Sequence, residues 1–61
     1  MKLREYMFHN RLTCEAMALE LNIHPVYLSA IKNGKRRPGF ELAMKIEILT
    51  GGKVTMKELR G

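Results

Sequence analysis

The side chains able to do chemistry are few, and most of them carry positive charge. Four cations, Lys32, Lys35, Arg36 and Arg37, crowd into one short stretch. Such a cluster suits phosphate, to which Arg presents a planar fork of donors and Lys a compact point charge. His9, Cys14 and His24 are the residues that could ligate a metal or attack a substrate, but their spacing fits no zinc pattern. Cys14 reads as a small residue opening a helix rather than as a redox thiol. There is no Asp in the chain. No Ser/His/acid arrangement and no carboxylate pair is visible, so the sequence predicts no enzyme, no metal, no cofactor and no small-molecule substrate. What remains is binding, with a polyanion as its object.

Length and charge narrow the setting. Sixty-one residues make one domain, 1–61, with a formal net charge of +5 from eleven Lys and Arg against six Glu. A chain this short buries only roughly 60% of its unfolded surface, which leaves little room for an enclosed pocket. One cysteine cannot form an internal disulfide, so a reducing compartment is expected, the cytoplasm with its nucleoid. Charges at Lys2, Arg4, Glu5 and Arg11 interrupt any apolar leader, and no run approaches the length of a membrane span.

These residues must be positioned by helices, for no stretch reads as a convincing strand. Leu3, Tyr6 and Met7 make one stripe of a first helix ending near Asn10 and Arg11, with Leu12 turned back to the core. Thr13 is an N-cap, Glu15 suits the positive end of the helix dipole, and Met17, Ala18 and Leu21 face inward. Asn22 tolerates the left-handed conformation and starts a sharp turn, after which Ile23 packs inward. His24 and Pro25 open the next helix, whose buried face is Leu28 and Ile31 with Tyr27 at its edge; Asn33 and Gly34 stop it. A fourth helix spans roughly 40–50, with Leu42, Ala43, Ile46 and Leu49 inward and Gly51-Gly52 as its end. Thr55 and Glu58 have capping-box spacing and start a last turn carrying Leu59. The expected fold is all-α, a compact bundle of five short helices.

Thr13 to Asn33 is the centre of this arrangement: helix, tight turn, second helix entered through proline, with the small Ala18 where the two would cross. Here the sequence resembles the Cro/CI-type helix-turn-helix domains of phage repressors, bacterial regulators and antitoxins, whose fold is lambda repressor-like. The resemblance rests on Cys14, Ala18, Asn22, Leu28 and Ile31, and on the run Ile31-Lys32-Asn33-Gly34-Lys35-Arg36-Arg37-Pro38. The tail Thr50-Gly51-Gly52-Lys53-Val54-Thr55 is similar to small Cro-like or YdaS-like proteins.

That resemblance implies sequence-specific binding of double-stranded DNA by a small transcriptional regulator, a repressor acting as a homodimer through the segment 51–59. It places Pro25, Val26, Ser29 and Ala30 toward base edges, with His24 adding a polar contact. It places Cys14, Asn33, Lys35, Arg36 and Arg37 on phosphates, a set to which Thr13, Tyr27 and Lys32 are added. Pro25, Val26 and Ala30 cannot hydrogen-bond a base through a side chain, so they would read thymine methyls or leave part of the specificity to DNA shape. Phe8, Leu19 and Ile48 fall off the buried stripes. They are either scattered apolar surface or a patch for a protein partner, a toxin or another regulator, which would make the chain antitoxin-like with DNA binding secondary.

Overall fold

A computed structural model describes residues 1–60, and five helices run through them: α1 (Leu3–His9), α2 (Cys14–Leu21), α3 (Pro25–Lys32), α4 (Phe40–Leu49) and α5 (Met56–Arg60). No strand occurs among the described residues. The first four helices end by one device. A residue just past each helix turns left-handed: Arg11 (φ 52), Asn22 (φ 58), Gly34 (φ 77) and Gly51 (φ 65). The next N–H then reaches back to a carbonyl five positions earlier: Leu12 to Met7 at 2.9 Å, Ile23 to Ala18 at 3.0 Å, Lys35 to Ala30 at 2.9 Å, and Gly52 to Glu47 at 2.8 Å. This closure satisfies carbonyls that the helix end would otherwise leave open. Asn and Gly suit the left-handed site; Arg11 does not, and costs about 1 kcal/mol there.

The starts are equally local. Thr13 Oγ1 accepts from the Ala16 N–H at 3.0 Å, as its type predicts. His24 Nδ1 accepts from the Val26 N–H at 3.1 Å, and Pro25 occupies the first turn, where it needs no N–H. Thr55 and Glu58 cap each other: the Thr55 N–H donates to the Glu58 carboxylate and the Glu58 N–H to Thr55 Oγ1, both at 3.2 Å.

The core collects Leu3 and Met7 from α1, Met17, Ala18 and Leu21 from α2, Leu28 and Ile31 from α3, Ala43 and Ile46 from α4, and Val54 from the link to α5. α2 packs chiefly on α3, and Ala18 is fully buried there. A larger side chain would hold the two helices apart. Leu28, Ile46, Val54 and Pro38 are the largest fully buried side chains, and each aliphatic one contributes about 1.5–3 kcal/mol by leaving water. Pro38 anchors the far end of the basic loop.

Two expectations fail. Leu12 is exposed rather than turned to the core: its backbone finishes α1 while its side chain stays in water. Leu49 is exposed as well, and Thr50 is buried in its place. On a helix of 3.6 residues per turn the inner stripe leaves Ala43 and Ile46 for the position four beyond Ile46, which is Thr50, not the position three beyond. The Thr50 hydroxyl is satisfied: it accepts from the buried Val54 N–H at 3.1 Å and donates to the Glu47 carbonyl at 3.2 Å. The Glu47 carboxylate accepts from the Met56 N–H at 2.7 Å, tying α5 to α4.

Candidate nucleic-acid interface

α3 is held from behind by Leu28 and Ile31, which leaves its opposite side to solvent. Val26 stands out there at 70% exposure, while Pro25, Ser29 and Ala30 are half-buried. His24, Val26, Tyr27, Ala30 and Arg36 line a shallow hollow of about 370 Å³; Pro25 and Ser29 lie outside it. Because His24 Nδ1 is spent as a cap acceptor, a neutral ring carries its proton on Nε2 and presents a donor outward. The surface is a small apolar face with one polar edge.

The left-handed turn at Gly34 aims the basic loop. The N–H groups of Lys35 and Arg36 both return to the Ala30 carbonyl, at 2.9 and 3.3 Å. The backbone of this turn is thus committed to closing α3, and the loop meets a ligand through side chains. Lys35, Arg36 and Arg37 are exposed and Lys32 is half-buried. The Arg36 guanidinium lies 5.2 Å from the centre of the Tyr27 ring, within cation–π range. Arg36 therefore belongs both to the apolar hollow and to the basic loop.

Thr13 is exposed and Cys14 half-buried against the core at the start of α2. Thr13 Oγ1 is occupied as an acceptor, which leaves its O–H free to donate. Asn33 is exposed, but its Oδ1 accepts from Arg4 Nη2 at 2.7 Å, so its amide nitrogen is the part left for a ligand.

Sequence reasoning missed the other half of the basic surface. Lys2, Arg4, Lys32, Lys35, Arg36, Arg37 and Arg60 line one open groove of about 680 Å³, with Asn33 and Glu58 among the remaining lining residues. Glu58 is ion-paired with the Met1 amino group at 2.8 Å. That amino group foremost, then the Thr55 backbone N–H, holds the Glu58 carboxyl below the usual carboxylate range. Nothing in the order of residues announces that Met1 and Glu58 meet beside the loop. Among the described residues no three His, Cys or Glu gather as metal ligands, His9, Cys14 and His24 included. No helix of the described residues is long and apolar enough to cross a membrane.

A tight two-helix turn that presents an exposed helix face beside a basic loop makes this a helix-turn-helix DNA-binding domain. The model of the helix-turn-helix family matches residues 1–59, and the chain belongs to that family, in its Cro/CI-type form. It is also similar to an uncharacterized HTH-type transcriptional regulator of Bacillus subtilis (strain 168), YvzC, at 43% identity over 35 residues. That match covers 57% of this chain and 46% of YvzC, so the chain spans less than half of that relative's length. No solved structure gives a significant match.

Proposed function

We propose that this protein is a transcriptional regulator that represses by occupying operator DNA as a homodimer. The observation that carries the reading is the junction at Arg36, where the exposed face of α3 runs into the basic loop. A helix seated in the major groove would turn His24, Val26 and Ala30 toward base edges, with Pro25 and Ser29 at the margin. Val26 and Ala30 read thymine methyls by contact, and His24 Nε2 and the Ser29 hydroxyl supply the polar contacts. Lys32, Asn33, Lys35, Arg36 and Arg37 neutralise the backbone alongside, and Thr13, Cys14 and Tyr27 complete the phosphate contacts.

Size supports the dimer. The molecule measures 23 × 20 × 18 Å, less than one helical turn of DNA at about 34 Å, so two copies on adjacent half-sites are needed for a long operator. Selection of bound sequences from a random duplex pool near physiological salt tests this. An enriched two-fold-symmetric site is the expected result; salt-sensitive binding without any enrichment would overturn it.

A second reading keeps one observation in its favour. Phe8, Leu19 and Ile48 are 80%, 82% and 72% exposed, a large apolar area for a domain of this size. An antitoxin-like protein would cover them with a toxin or another regulator. Co-purification of a stoichiometric protein that is lost on replacing all three with Ser would favour it.

A further inference from the structure

The groove beside the loop holds all of the molecule's charge imbalance. Seven of the eleven cations line it, with Glu58 as its one carboxylate; the remaining four cations are outnumbered by five carboxylates elsewhere. The rest of the surface is therefore close to neutral, and the excess that attracts a polyanion sits in one concavity. Three of the seven cations, Lys2, Arg4 and Arg60, lie outside the helix-turn-helix and its basic loop.

We propose that this groove seats a length of DNA backbone, so that Lys2, Arg4 and Arg60 contact phosphate in continuation of the loop. The inference rests on the DNA-binding reading above and extends it from one strip of the protein to both ends of the chain. Three features favour a polymer backbone as the occupant. The groove is open rather than enclosed, as a strand passing through requires. It is continuous with the base-reading hollow, because Arg36 lines both. One of its donors is also held in place: the Arg4 guanidinium is bonded to Asn33 by one N–H at 2.7 Å, leaving its other donors free for phosphate oxygens. Arg36, Asn33 and Arg4 line the same groove, so a backbone leaving the α3 face past Arg36 enters it.

The test compares salt dependence. Affinity for a short random-sequence duplex is measured from about 50 to about 200 mM salt, where each neutralised phosphate contributes about 0.9 to the slope of log K against log salt. Lys2→Ala/Arg60→Ala removes two exposed side chains whose charged ends make no hydrogen bond among the described residues. Arg11→Asn/Lys45→Ala removes equal charge away from the groove and serves as the control, Asn being tolerated at the left-handed position of Arg11. The groove variant is expected to lower the slope by about 1.8, so that its affinity loss across this range is about 12-fold smaller than that of the wild type, while the control keeps the wild-type slope. Arg4→Ala is expected to lower the slope by about 0.9 more. Equal slopes for the groove variant and the wild type would overturn the proposal while leaving DNA binding intact; so would tight binding of tripolyphosphate that leaves duplex affinity unchanged. A wild-type chain that binds no duplex at low salt would instead overturn the DNA-binding reading itself.

Discussion

The contact between Arg36 and Tyr27 can be tested for what it does to binding. A guanidinium 5.2 Å from the ring centre, on an exposed side chain, gains about 0.5–1 kcal/mol from the aromatic face. In the free protein that attraction holds Arg36 at the border of the α3 face, so less ordering remains to be done when DNA arrives. Tyr27→Leu releases the side chain without changing its charge. Duplex affinity should fall about 2- to 5-fold, the equivalent of about 0.5–1 kcal/mol, and the salt slope should stay as it was. Arg36→Ala should lower affinity further and flatten the slope by about 0.9. The decisive measurement is the cycle: in the Arg36→Ala background, Tyr27→Leu should cost no more than Tyr27→Phe, because the ring's partner is gone and only the hydroxyl's phosphate contact is left to lose. Tyr27→Phe keeps the ring and isolates any contact made by the phenolic hydroxyl. Fluorescence anisotropy with a labelled duplex at three salt concentrations reads all of these. Additive losses in the double variant would refute the reasoning, for they would mean that Tyr27 and Arg36 act on DNA independently.

Two further expectations concern the scaffold. Ala18→Leu forces volume into the fully buried junction of α2 and α3, at about 1–3 kcal/mol; a domain of this size should then melt at least about 4 °C lower. A thermal midpoint within about 1 °C of wild type would show unfilled space beside Ala18. Thr50→Val keeps the shape but takes the acceptor from the buried Val54 N–H, for a loss of about 1–3 kcal/mol in urea unfolding, whereas Thr50→Ser keeps the hydroxyl and loses about 1 kcal/mol. A valine variant as stable as wild type would refute the role given to that hydroxyl.

What could be read from the sequence is what depends on near neighbours. Thr13 accepts from an N–H three residues on, Asn22 turns left-handed beside the helix it ends, and Thr55 meets Glu58 within one turn. Those choices are made by side-chain chemistry acting over one turn of helix. The basic loop was legible because its cations are consecutive. The other half of the groove was not, because Arg4 reaches Asn33 across 29 residues and the Met1 amino group reaches Glu58 across 57. Only packing brings those together. Pro38 shows the same limit inside the core: amid a charged loop it reads as a turn residue, yet it is fully buried. Leu49 failed in the opposite sense: it is the more apolar of the two, yet the period of α4 turns Thr50 inward, where its hydroxyl is satisfied by the α4–α5 link.

Gathering seven cations into one groove also sets folding against binding in their response to salt. Without DNA the cations repel one another across a molecule only 23 Å in its longest dimension, little more than two screening lengths at about 0.1 M. Added salt screens that repulsion and should make the free domain harder to unfold. The same salt returns counterions to the DNA and makes the complex easier to dissociate. The nucleic acid is then in effect the counterion that this surface lacks, and the protein gains most stability from it at the low ionic strength where it has least of its own.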